Sequence, residues 1–181
     1  MVTFHPVTLE KGSAVAQMSE LLSALDELES TSILFTLPNA DAEGRVLFDL
    51  ITKFVECHPK TKAFTSLGYQ RYLSCLQVVD GVVGNSSSGI VEAPTFKKGT
   101  INIGDRQRGR ERAASVIDCP PLKKDIKQGI MKLYSQEFQE SLNNVVNPHG
   151  TGGASNAIVQ VLEEVSLEKI LKKKFFNLEV L

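Results

Sequence analysis

The chain has 181 residues, 42% hydrophobic and 23% charged, with a formal net charge of −1. That is enough apolar chain for a packed domain, so a disordered tail is excluded, and the near-neutral charge gives no general pull toward nucleic acid or an anionic membrane. No apolar run approaches a membrane span, the first residues lack a secretory pattern, and Cys57, Cys75 and Cys119 are too few and too widely spaced for a disulfide frame or a metal motif.

In chain order, Val2-Thr3-Phe4 reads as a strand that begins directly after Met1. Natural domains rarely open in mid-strand, so the chain is expected to be a piece of a longer protein, with Met1 added to it. Lys11 to Leu28 carries Val15, Met18, Leu21, Leu22, Leu25 and Leu28 at helical spacing. Ile33-Leu34-Phe35 suits a buried strand over 32–36, ended by Pro38-Asn39. Glu43 to Cys57 is helical again, with Val46, Leu47, Leu50, Ile51 and Phe54 on one face. Lys62 to Leu67 reads as a strand, Tyr69 to Val78 as a helix, and Gly81 to Gly84 and Thr100 to Ile103 as strands. Ala114 to Ile117 is one more apolar run. Helices are predicted for Lys123 to Tyr134, Gln136 to Val145 and Ala154 to Val165, followed by a basic-to-apolar tail, Lys172 to Phe176.

Strands alternating with helices of ten or more residues predict an α/β fold: a Rossmann-like parallel sheet with helices on both faces. The short, continuous apolar strands fit burial on both faces. Gly150-Thr151-Gly152-Gly153 reads as a loop before the last helix, not a domain boundary. In such sheets ligands bind beyond the carboxyl ends of the strands, which directs attention to the strand-to-helix loops.

The first loop is His5-Pro6-Val7-Thr8, where Pro6 stops the strand. His5 is either a surface turn histidine or a group facing a ligand near neutral pH. The second, Pro38-Asn39-Ala40-Asp41, has ordinary turn residues placed at the same predicted edge as His5. The third, Gly84-Asn85-Ser86-Ser87-Ser88-Gly89, runs from a strand into a helix start. One serine would suffice for a cap; three add hydroxyl donors to the N–H groups of the turn, as a phosphate socket requires. With Ser88 as cap, a capping box wants an acid at 91, but Glu92 comes one residue later and sits one turn into the expected helix, free to accept from sugar hydroxyls. No lysine follows as in a P-loop. The fourth, Gly104-Asp105-Arg106-Gln107-Arg108-Gly109-Arg110, is either a solvated basic loop or a grip on diphosphate. A histidine, an Asn/Asp pair, a serine-rich turn with a carboxylate, and arginines together suit a nucleotide diphosphate. No Gly-x-Gly-x-x-Gly fingerprint is present, so a nicotinamide or flavin cofactor is not expected, and the cysteine spacing gives no reason to expect a metal.

The stretch GNSSSGIVEAPTFKKGTINIGDRQRGRERAASVIDC, with HPVT and LPNADAEG upstream, closely resembles the UDP-N-acetylglucosamine 2-epimerases, and most of all their hydrolysing branch, which makes N-acetylmannosamine for sialic-acid synthesis. The resemblance runs from His5 to about Gly153. It implies a glycosyltransferase-B-like fold of two Rossmann-like domains, of which residues 1–181 are the C-terminal, UDP-binding one, and the N-terminal domain is absent. By position it implies Asn39 near the base, Leu67 in backbone contact with uracil, Ser86 and Ser87 on the phosphates, Glu92 on the ribose and Arg106 on the diphosphate, with Asp41 in the same pocket and His5 as the histidine required for activity. It further implies an enzyme that is homodimeric at full length, with UDP or a UDP-sugar as its ligand, while the three widely spaced cysteines suit a reducing cytoplasm. Reaction would proceed by elimination of UDP and addition of water. The acidic catalysts would lie in the absent domain, so this chain would bind nucleotide without turnover. Non-hydrolysing epimerases carry His-Arg-x-Glu-Asn where this chain has His5-Pro6-Val7-Thr8, which favours hydrolysis. A UDP-sugar glycosyltransferase and a non-catalytic nucleotide-binding module are the competing expectations.

Overall fold

The computed structural model describes residues 1–7, 12–38, 44–168 and 171–172. Six strands form one parallel sheet: β1 (Val2–Thr3), β2 (Ile33–Thr36), β3 (Thr61–Phe64), β4 (Gly81–Gly84), β5 (Gly99–Ile103) and β6 (Val116–Cys119). Their order across the sheet is β3-β2-β1-β4-β5-β6, the doubly wound arrangement. The connecting helices are α1 (Ala14–Leu25), α2 (Gly44–Cys57), α3 (Gly68–Val78), α4 (Ser88–Val91), α5 (Lys123–Leu133) and α6 (Gln136–Ser141), with 3-10 turns at Ala93–Phe96 and Leu142–Asn144.

Because successive strand side chains point to opposite faces, neighbouring residues feed different cores. Phe35 and Val83 join a large cluster on one face with Met18 and Leu21 of α1, Leu47 and Ile51 of α2, and Ile126 and Ile130 of α5. Leu34 and Val82 join a smaller cluster on the other face, with Leu76 and Tyr72 of α3 and with Ala93 and Phe96. Helices therefore cover both faces, as the alternating pattern predicts. The two outermost expectations need correction. β3 is an edge strand, so Lys62 and Phe64 are exposed instead of buried. Val15 and Val46, counted into the apolar faces of their helices, are exposed at 42% and 46%, because the buried stripe is narrower than the apolar one.

Element ends shift for local reasons. β3 stops at Phe64 because Ser66 Oγ accepts from the Gly68 N–H at 3.1 Å in the turn leading into α3. β6 starts two residues later than the apolar run, where Val116 comes into register with Thr100. The chain divides into two compact units, Met1–His149 and Gly150–Leu181. The second unit contains α7 (Ala154–Glu164), in which no residue is buried. Among the described residues, no helix is long and apolar enough to cross a membrane.

Candidate functional site

Strand order reverses at the β1/β4 pair, and this is where a doubly wound sheet opens a crevice at its carboxyl edge. The two strands come unusually close there. Gly84 has φ +134°, and a Cβ on it would lie 1.9 Å from the carbonyl oxygen of Thr3, so only glycine fits. His5 leaves the end of β1 and Asn85 the end of β4. The fully buried Asn85 side chain accepts the His5 N–H at 2.7 Å and donates to the His5 carbonyl at 2.8 Å. Its own N–H donates to Thr3 O at 3.1 Å.

The arginine loop comes to the same residue. Arg106 Nη1 donates to the Asn85 carbonyl at 3.0 Å, and the buried Gln107 Nε2 to the same oxygen at 2.8 Å. Arg108 pairs with the exposed Asp105 at 3.6 Å, and Arg112 is ion-paired to Asp118 and donates to Gln107 O at 3.2 Å. Among the described residues, Arg106 is the arginine of this loop that bonds to the switch point.

The serines divide their work. Ser88 Oγ is hydrogen-bonded to the Tyr72 phenol from α3. Ser86 Oγ makes a long contact of 3.4 Å with the Ser88 N–H. Ser87 occupies the cap position yet forms no side-chain capping bond, so capping does not account for its hydroxyl. The helix that follows is only four residues long, shorter than expected, because Pro94 turns the chain into a 3-10 segment. Glu92 is therefore not inside a helix; it stands at the junction of the two turns, a correction to its predicted place. One turn of helix carries little dipole, so attraction for an anion must come from Arg106 and from local N–H and O–H donors. Glu92 Oε2 is buried and has no hydrogen-bond partner among the described residues. Burial pushes the Tyr72 phenol above its ordinary value, against the lowering effect of its bond to Ser88, and the Glu92 charge adds to the rise.

Gly89 lets this turn lie on the sheet: a Cβ there would meet Thr100 Cγ2 at 2.5 Å, and Thr100 Oγ1 donates to Gly89 O at 2.7 Å. A segment far along the chain braces it. Asn147 Nδ2 donates to Val91 O at 2.8 Å and contacts Thr95 Oγ1 at 2.7 Å, while a ring nitrogen of His149 meets Glu111 O at 3.1 Å. Leu67, at the cap of α3, packs against the smaller core beside Tyr72 and Phe96.

The structure thus links His5, the serine turn and Arg106 through Asn85, and Ser88 to α3 through Tyr72. Asn39 and Asp41 lie outside the described residues. Sequence reasoning missed Asn85, Tyr72, Gln107, Asn147 and His149 as parts of this assembly. Asn85 stood inside the serine motif and could have been found there; the others are scattered polar residues with no spacing signal. A cavity of about 740 Å³ lies at the opposite edge of the sheet, among Leu28, Ile33, Val79 and Tyr134, and contains none of these loops.

Residues 1–163 match a family model described as UDP-N-acetylglucosamine 2-epimerase. The chain is 39% identical over 180 residues to the GDP/UDP-N,N'-diacetylbacillosamine 2-epimerase (hydrolyzing) of Campylobacter jejuni, covering 98% of this chain and 46% of that protein. It is 36% identical to the polysialic acid biosynthesis protein P7 of Escherichia coli, over 91% of this chain and 42% of that one. The fold resembles the S. aureus MnaA–UDP co-structure with a TM-score of 0.69 at 16% identity, covering 90% of this chain and 43% of that one. It likewise resembles UDP-GlcNAc 2-epimerase from Neisseria meningitidis bound to UDP-GlcNAc, with a TM-score of 0.65 at 18% identity, over 91% of this chain and 43% of that one. The chain spans about half the length of the curated relatives it matches. The expected fold, one Rossmann-like half of a glycosyltransferase-B-like architecture, is the observed one.

Proposed function

Because the chain belongs to the UDP-N-acetylglucosamine 2-epimerase family, we propose that it is the C-terminal, nucleotide-holding half of a hydrolysing 2-epimerase acting on a UDP-activated 2-acetamido sugar. The observation that carries this reading is the convergence of His5, the serine turn and Arg106 on Asn85 at the sheet's switch point. Each group then has a task. Ser86, Ser87 and Arg106 hold the diphosphate and stabilise its charge as it departs. The unpartnered Glu92 oxygen accepts from ribose hydroxyls, and Leu67 lies along the base. The motif resemblance assigns Asn39 to the base and Asp41 to the same pocket.

In this reading the C2 proton of the sugar passes to a base, and the C1–O bond breaks with its electron pair going to UDP. That leaves a 2-acetamidoglucal. Water then adds across the C1–C2 double bond, with the new C2 proton on the opposite face, releasing the free epimeric sugar. His5, at the carboxyl edge of the sheet, serves in this reading as the cleft histidine required for activity. The remaining acid/base groups come from the half that this chain does not include, so the chain by itself binds UDP without turnover, and the complete protein works as a homodimer in the cytoplasm.

Two sugars fit. UDP-N-acetylglucosamine, giving N-acetylmannosamine for sialic-acid synthesis, follows from the motif resemblance and is supported by the polysialic acid relative. UDP-N,N'-diacetylbacillosamine is favoured by the relative at 39% identity. Incubating the full-length protein with each, and following UDP release with the C2 configuration of the product by NMR, tests the reading. Released UDP with an inverted free sugar is expected. A retained UDP-sugar epimer makes the enzyme non-hydrolysing, and transfer to an acceptor makes it a glycosyltransferase.

A further inference from the structure

We propose that Asn85 is a positioning residue that sets His5 and Arg106 in fixed register across the β1/β4 switch point. The inference rests on the nucleotide reading above and adds a residue to it. Four observations carry it. The Asn85 amide grips both backbone groups of His5, accepting at 2.7 Å and donating at 2.8 Å. Its backbone carbonyl accepts from Arg106 at 3.0 Å and from Gln107 at 2.8 Å. Its N–H is tied to Thr3 at 3.1 Å. Asn85 is fully buried, so these bonds satisfy polar groups that are withdrawn from solvent.

The chemistry explains why an amide suits the position. The His5 N–H requires an acceptor and the His5 carbonyl a donor, and a carboxamide presents the two on separate atoms of one short side chain. Serine or alanine cannot span the pair. Aspartate keeps the shape but sets a second oxygen against a carbonyl oxygen. Gln107 repeats the logic from the arginine loop: it shares its acceptor with Arg106, so Asn85 receives that loop at two adjacent residues. A displacement of Asn85 therefore moves the histidine and the arginine together. Both groups act on one ligand, and groups that orient a ligand lose effect with small misplacement.

The test uses Asn85→Asp in this chain, with NMR signals of the His5 ring and the Arg106 Nε–H read without ligand, and with UDP affinity read by calorimetry. Both signals should move together while strand amides of β2 and β3 stay in place, and UDP affinity should fall about tenfold, the effect of one or two lost hydrogen bonds. Arg106 signals that stay put while those of His5 move, or UDP affinity within about twofold of the wild type, overturn the proposal. If Asn85→Asp fails to fold, Gln107→Met carries the test: it leaves the His5 grip intact, should shift the Arg106 signal and should weaken UDP, and an unchanged signal overturns the coupling. If the wild-type chain does not bind UDP, the nucleotide reading falls, and the coupling is judged on the paired NMR signals alone.

Discussion

The phenol of Tyr72 on α3 is hydrogen-bonded to the hydroxyl of Ser88 in the serine turn. A helix on one side of the sheet thereby fixes a loop at its carboxyl edge. Tyr72→Phe keeps the ring and removes the bond, and is expected to cost about 1 kcal/mol of stability in urea unfolding. It should also weaken UDP, because Ser88 is then free to turn.

Ser87→Ala and Arg106→Ala should both weaken UDP binding measured by calorimetry. Arginine makes a charge-assisted contact worth roughly 1.5–3 kcal/mol, so its loss should exceed that of the serine, worth about 1 kcal/mol. Both side chains are at least partly exposed, so unfolding midpoints should change little. Equal affinity in all three proteins would remove the phosphate cradle from the reading.

Gly84→Ala combines a positive φ with a Cβ placed 1.9 Å from a backbone oxygen. Backbone must move at the β1/β4 pair, where both sides are strands. We expect a loss of about 3 kcal/mol or more in denaturant unfolding. Gly104→Ala gives the contrast. It has φ +71° with no atom within 4 Å of the added Cβ, so its cost should be confined to the strain, about 1 kcal/mol.

His58 stacks on Phe54 with ring centroids 3.9 Å apart, and its nitrogens lie 2.6 Å from Phe54 O and 2.8 Å from Asp26. Only the imidazolium can donate to both. The Phe54 carbonyl first, and Asp26 next, raise its pKa above 6.5. A raised folded pKa contributes stability fully present below the unfolded value and lost as pH rises through the folded one. The histidine titration by NMR should therefore have its midpoint above 6.5, and Asp26→Asn should lower it. His58→Gln should flatten the fall in melting temperature over the same pH window.

Glu27 shows the opposite sign. Its bonds to Lys123 and then Lys127 hold its carboxyl at about 2, below the ordinary 4.5. The contribution is present above the unfolded value and is lost as pH falls toward the folded one. The contact joins the turn after α1 to α5, and Glu20 Oε2 of α1 reinforces it by accepting the Lys123 N–H at 2.6 Å. Glu27→Gln should make stability less dependent on pH between the two values. The effect should be small, because all three side chains are substantially exposed.

The sequence by itself determined the alternation of short apolar strands with amphipathic helices, and with it a parallel sheet covered on both faces. That much is local: periodicity, Pro6 after the first strand and Pro94 after the serine turn act over a few residues. It also pointed to His5, the serine turn, Glu92 and the arginine loop as candidates, and the motif resemblance pointed to Arg106 within that loop. The tertiary structure decided which of them meet. Strand order put β1 beside β4, so residues eighty positions apart, His5 and Asn85, share two hydrogen bonds. It singled out Arg106 from its neighbours and gave Ser88 to Tyr72. It shortened the expected helix to one turn, leaving Glu92 at a junction. None of this follows from spacing, because a polar side chain's partner is set by which strand ends the sheet order brings together, and that order is fixed by packing of the whole core.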